Sequence, residues 1–129
     1  MKRILVVDDD KDILEAIQLI LEAEGFSSMI TDDCESLSKK IMEYRPDLIM
    51  LDVLMSGFDG RMVAKNLKQD TKTKEIPIIL ISAHPSVAGS IQELGIEGYI
   101  PKPFDIDELL KLISDVIGKA EKKKLQKVD

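Results

Sequence analysis

Five residues have the types that phosphoryl or metal chemistry needs: the carboxylates Asp8, Asp9 and Asp52, the hydroxyl of Ser82 and the ammonium of Lys102. Each stands at the end of a short apolar run, Ile4–Val7, Leu48–Leu51, Ile76–Ile81 or Gly98–Ile100. Carboxylates brought close together repel, so they either raise one another's pKa or recruit a cation. Oxygen ligands with no His or Cys nearby suit a hard ion, and a small octahedral ion that keeps several waters needs only one or two carboxylates, which makes Mg²⁺ the candidate. Beside such an ion a phosphoryl group can be bridged, with Lys102 adding a compact positive charge and Ser82 a hydroxyl. A carboxylate can itself be the nucleophile and form an aspartyl phosphate. That role falls to Asp52.

These residues meet only if the apolar runs become neighbouring parallel strands. The chain alternates between two periodicities. The run before Asp8 is followed by a helical stripe at Ile13, Leu14, Ile17 and Leu21, closed by Glu24-Gly25. Phe26–Thr31 reads as a weak second strand, and Leu37, Ile41 and Tyr44 as a second helix that ends before Pro46. Leu48–Leu51, apolar on both faces, suits the centre of a covered parallel sheet. Met62, Val63 and Leu67 mark a third helix, Ile76–Ile81 a fourth strand, and Val87, Ile91 and Leu94 a short fourth helix. Gly98–Ile100 is the fifth strand, and the stripe from Ile106 to Ile117 is the fifth helix. Strand-then-helix repeats imply right-handed crossovers and a parallel sheet with helices on both faces. In such sheets ligands bind at the carboxyl ends of the strands.

A chain of 129 residues makes one domain that buries roughly two-thirds of its unfolded surface. The lone Cys34 forms no internal disulfide, and neither a leader nor a membrane span is evident, so a reduced, cytoplasmic protein is expected. The net charge of -6 argues against broad nucleic-acid affinity. The segment Gly118–Asp129 carries five Lys against Glu121 and Asp129, a local +3 that reads as a solvated helix end or linker stub.

The ordered set Val6-Val7-Asp8-Asp9, Asp52 with Met55 and Asp59-Gly60, Ser82-Ala83, and Tyr99-Ile100-Pro101-Lys102-Pro103-Phe104 resembles the receiver domain of two-component response regulators, the CheY-like family. The resemblance covers about Lys2 to Gly118, giving a receiver over 1–118 and a Lys-rich tail over 119–129. It implies a flavodoxin-like, doubly wound five-stranded parallel sheet of order 2-1-3-4-5 with five helices. By the same resemblance, Asp52 accepts a phosphoryl group from a histidine kinase or histidine phosphotransfer protein. Asp9, Asp52 and the backbone carbonyl of Leu54 hold Mg²⁺, with Asp8 acting through water, and Lys102 contacts the phosphoryl group. Lys102-Pro103 is expected to be a cis peptide, and Ser82 and Tyr99 to form a switch pair. The output surface comprises the fourth helix, fifth strand and fifth helix and meets a downstream protein, without direct nucleic-acid contact or membrane insertion.

Blander roles stand beside these. Asp10 or Asp12 can simply cap the first helix, and Tyr99 can be a half-buried strand aromatic. His84, with no paired base or second ligand, reads as a loop residue, and Cys34 as a small helix-start residue. A calcium loop from Asp8 is rejected, because its sixth and twelfth positions hold Ile13 and Leu19 instead of Gly and Glu. The chain departs from the family pattern at Ser56, where Pro is common, at Leu54 and His84, which border the path of water to the phosphoryl group, and in the shortened segment between Ser82 and Tyr99. Two other functions fit some of the residues. An Asp-nucleophile phosphohydrolase wants a second Asp where Leu54 stands, and a degenerate receiver that only docks partners has no need of the intact set.

Overall fold

The computed structural model describes residues 1–55, 57–83, 89 and 91–126. Ser56, His84 and Val87 lie outside the described residues. Five strands form one parallel sheet: β1 (Arg3–Val7), β2 (Ser27–Thr31), β3 (Leu48–Asp52), β6 (Ile78–Ser82) and β7 (Gly98–Pro101), in the order β2-β1-β3-β6-β7. Counting only these strands, that is the expected order 2-1-3-4-5. A separate two-stranded hairpin, β4 (Leu54–Met55) with β5 (Phe58–Asp59), follows β3. The helices are α1 (Lys11–Ala23), α2 (Leu37–Tyr44), α3 (Gly60–Gln69), α4 (Ile91–Leu94) and α5 (Ile106–Gln126).

The alternation of side chains along each strand divides the core in two. Ile4 and Val6, Leu48 and Met50, Ile79 and Ile81, and Ile100 pack with Leu14, Ile17 and Leu21 of α1 and Leu109, Ile113 and Val116 of α5. Leu5 and Val7, Ile49 and Leu51, and Ile78 and Leu80 pack on the other face with Leu37 and Ile41 of α2 and Ala64 and Leu67 of α3. The central strands are therefore apolar without a break, as a sheet covered on both sides requires.

Helix ends follow from local chemistry. Asp10 caps α1 by accepting from the backbone N–H groups of Asp12 and Ile13. At the other end, Gly25 adopts φ +88°, with Phe26 N–H donating to the Leu21 carbonyl and Gly25 N–H to that of Glu22, a Schellman closure. Arg45 ends α2 at φ 54° immediately before Pro46.

Two boundaries, those of β6 and α5, differ from the sequence expectation by more than one residue, and the described part of the fourth helix is short, as expected. β6 starts at Ile78 rather than Ile76, because Pro77 has no N–H for the ladder and Ile76 closes a turn onto Thr73. α4 is a single turn in the described residues. α5 runs on through the Lys-rich segment to Gln126, where helix-forming Ala, Glu, Lys and Gln offer no stop signal.

Ile113, fully buried on α5, and Leu19, exposed on α1, test this partition. Ile113→Ala should lower the unfolding free energy by about 2–5 kcal/mol in urea titration. Leu19→Ala should change it by no more than about 0.5 kcal/mol.

Candidate functional site

Strand register brings the polar residues together. Val6 pairs with Met50 and Val7 with Leu51, so the next step along the two strands sets Asp8 beside Asp52. Val6, Met50 and Ile100 share one face of the sheet. Two residues further on, Asp8, Asp52 and Lys102 continue that face at the carboxyl edge. Asp8 is fully buried, Asp52 is 4% exposed, and Asp9 projects into solvent. Oxygens from all three carboxylates lie within 4.8 Å of one another.

Lys102 is held over this cluster from the opposite side. Its backbone N–H donates to the Ser82 carbonyl at 2.9 Å, which ties the segment after β7 to the end of β6. Its Nζ donates to Asp8 Oδ2 at 2.9 Å and lies 3.3 Å from Asp52 Oδ1. Asp8 Oδ1 accepts the Asp10 N–H at 2.9 Å, so both oxygens of this buried carboxylate are engaged. The Lys102-Pro103 peptide bond is cis.

The charges are unequal in their surroundings. Burial, and next the negative charge of Asp8, push the Asp52 carboxyl up to about 6, against the opposing pull of Lys102. For Lys102, burial pulls the ammonium down, but its hydrogen bond to Asp8 and the charges of Asp8 and Asp52 outweigh that and raise its pKa. The donor set is entirely carboxylate oxygen, which fits a hard divalent cation and not a soft one. Asp8, Asp9 and Asp52 are the residues that could hold it.

Ser82, 1% exposed, ends β6, and Tyr99 lies half-buried in β7. Leu80 pairs with Tyr99, and Ser82 lies two residues beyond Leu80 on the same face, so the hydroxyl and the ring are diagonal neighbours. Tyr99, like Ile91 and Leu94, packs against the apolar cluster that includes Leu80 and Ala64.

The segment after Asp52 folds as a hairpin of two-residue strands, too short to leave a periodicity in the sequence, and a glycine shapes it. A Cβ on Gly60 would stand 2.1 Å from the Asp52 carbonyl oxygen, so only glycine lets the backbone pass this close. Gly60 N–H donates to the Val53 carbonyl at 2.7 Å, which closes the β4–β5 hairpin directly after β3. That bond makes Leu54 and Asp59 a non-hydrogen-bonded pair of the hairpin, which turns the Leu54 carbonyl away from β5. Asp59 caps α3 by accepting from Arg61 N–H at 2.9 Å and also takes the Arg61 guanidinium. The Asp-Gly pair before a helical stripe was the available signal.

The family model described as response regulator receiver domain matches residues 4–114. The chain belongs to this family. The receiver is 35% identical over 118 residues to the phosphate regulon transcriptional regulatory protein PhoB of Escherichia coli, covering 90% of this chain and 52% of that protein. It is 31% identical over 124 residues to the DNA-binding dual master transcriptional regulator RpaA of Synechocystis, covering 95% of this chain and 52% of RpaA. The chain thus spans about half the length of these curated relatives. Among solved structures, a CheY-like response regulator receiver domain protein from Methanospirillum hungatei superposes with a TM-score of 0.87 at 27% identity, covering 95% of this chain and 98% of that one. Vibrio cholerae CheY4 gives 0.82 at 26%, covering 90% and 98%. The receiver fold and its acidic pocket are those of a two-component signalling module, and no described helix is long and apolar enough to cross a membrane.

The raised Asp52 pKa makes a signed prediction. Between the ordinary value of 3.8 and about 6, the unfolded chain ionises this group more readily than the folded one, so stability is lost as pH rises through that window. Asp52→Asn removes the ionisation. With chelator present, its melting temperature should exceed that of the parent at pH 7.5, and the gap should shrink as pH falls toward 4.

Proposed function

We propose that this receiver accepts a phosphoryl group on Asp52 from a histidine kinase or histidine phosphotransfer protein and responds by changing its partner-binding surface. The observation that carries the reading is the partly buried ammonium of Lys102 bridging Asp8 and Asp52 inside a cluster of three carboxylates. A structural ion pair needs one acid per base. Here the surplus acid suits a cation and a phosphoryl group as further occupants.

In the transfer, an Asp52 carboxylate oxygen attacks phosphorus as the bond from phosphorus to the donor imidazole nitrogen breaks, and the imidazole keeps the electron pair. Asp8, Asp9, Asp52 and the Leu54 carbonyl would hold Mg²⁺, which when bound offsets negative charge between carboxylate and phosphoryl oxygens. Lys102 is within reach of Asp52 and can turn its ammonium from the carboxylate to a phosphoryl oxygen. The Ser82 hydroxyl can donate to a second such oxygen, and the space this opens is where the Tyr99 ring can turn inward. The diagonal placement of Ser82 and Tyr99 supports that coupling. Charge gained at one sheet edge then biases the surface formed by α4, β7 and α5.

The receiver over 1–118, followed by the Lys-rich segment 119–129, acts as a signalling module and not on external substrates. Its net charge of -6 favours a protein over nucleic acid as the direct target of this unit. A cytoplasmic setting accords with a kinase donor.

Incubation with Mg²⁺ and acetyl phosphate should add the mass of a single phosphate to the intact protein, removable by hydroxylamine and absent from Asp52→Ala. No adduct, together with no Mg²⁺ binding at millimolar concentration, would favour a docking module that works without phosphorylation. Sustained release of phosphate from small phosphate esters would point to a hydrolase instead.

Leu54 is 55% exposed two residues after the acceptor and has no polar atom to orient an attacking water. The phosphoryl group should therefore be long-lived, and Leu54→Asn or Leu54→Glu should shorten its lifetime in a dephosphorylation time course. A longer lifetime in those variants would contradict the role assigned to Leu54.

A further inference from the structure

At the edge of the sheet opposite the acidic site, a groove of about 710 Å³ opens between α4, α5 and the segment before β6. Pro77 immediately precedes β6 and Glu97 immediately precedes β7, so the groove lies at the amino ends of these strands. Its floor is aliphatic, with Pro77, Ile91 and Ile96 facing Val116 and Ala120 of α5. Lys119, Lys123 and Lys124 rise from the same stretch of helix, and Lys74 stands across from them. The spacing of Val116, Lys119, Ala120 and Lys123 puts one apolar and basic stripe along a single helix face. Glu121 points elsewhere, to an ion pair with Lys2 that ties the helix extension to the start of β1.

We propose that this groove docks an acidic peptide segment of a partner protein, with carboxylates against the lysines and an aliphatic side chain on the floor. The charge argument is local. The segment Gly118–Asp129 carries +3 while Met1–Ile117 carries -9, so this is a basic groove on an acidic protein. The lining acids are Glu75 and Glu97. Glu97 is already engaged through both oxygens, one taking the Ile78 N–H at 2.8 Å and the other Lys68 Nζ at 2.8 Å. Sites for small molecules fix their ligand through a few placed polar groups, whereas this lining offers flexible ammonium groups that suit several carboxylates in variable positions. Lys119, Ala120, Lys123 and Lys124 all lie beyond the family match, which ends at residue 114, so the basic wall of the groove on α5 stands outside the matched span.

Fluorescence anisotropy on the unphosphorylated full chain tests it, with a labelled peptide in which pairs of Glu alternate with single Leu. Saturable binding is expected, weakened roughly tenfold or more by the double change Lys119→Glu and Lys123→Glu. Ala120→Glu, which fills the floor from an exposed helix without touching the core, should weaken it comparably, and thermal melts verify that each variant is folded. A peptide of Glu alone should bind more weakly than the parent peptide. No saturation up to about 1 mM, equal binding by the folded variants, or equal binding of the all-Glu peptide would overturn the proposal. So would self-association of the receiver that the same lysine changes abolish, since that would give the groove to a second copy.

Discussion

The register between β1 and β3 is the constraint on which the site depends. Placing Val7 beside Leu51 forces Asp8 and Asp52 side by side at the end of a dry sheet, where two like charges repel and neither is well hydrated. The Lys102 ammonium meets both, yet one positive charge does not neutralise three carboxylates. The structure holds this imbalance because the surrounding strands leave it no freedom. A slip of one residue in β3 would send its polar end to the other face and break both halves of the core at once.

The same edge shows how backbone and side chain share the task. β3 ends at Asp52, and the chain must turn at once into α3 without covering it. Gly60 permits the close pass under the Asp52 carbonyl, Asp59 caps the helix, and the short hairpin directs the Leu54 carbonyl away from its partner strand. Lys102, reached from β7, depends likewise on the backbone bond to Ser82 that fastens the segment after β7 to β6. The carboxylates, the ammonium and the hydroxyl are thus positioned by four different strand ends, and the rigidity of the apolar strands is what gives them fixed distances.

Charge divides the molecule along the strand direction. The carboxyl edge concentrates Asp8, Asp9 and Asp52, while the amino ends of β6 and β7 face a groove with Lys74, Lys119, Lys123 and Lys124 on its walls. Lys68 links the inner parts of this second edge, donating to the carbonyls of Lys74 and Ile76 and to Glu97. Between the edges runs the packed face that carries Leu80, Tyr99, Ile91 and Leu94. The two ends of the sheet therefore present opposite charge on separate sets of residues.

The amino-acid sequence by itself determined the alternation of strands and helices, the covered parallel sheet and the residues at its carboxyl edge, because buried strands leave continuous apolar runs and helices leave stripes at their own period. It also named Asp8, Asp9, Asp52, Ser82 and Lys102 as one group, since a parallel sheet brings successive strand ends to one edge. Tertiary structure alone decided which of them touch: that Lys102 bridges Asp8 and Asp52 while Asp9 faces solvent, and that Tyr99 lies diagonal to Ser82. Those facts arise from register and from chain segments as far apart as Asp8 and Lys102, which no local pattern encodes. The hairpin after Asp52 and the groove along α5 were hidden for the same reason: a two-residue strand leaves no periodicity, and a lysine-rich helix end looks like a solvated tail until the elements opposite it are in place.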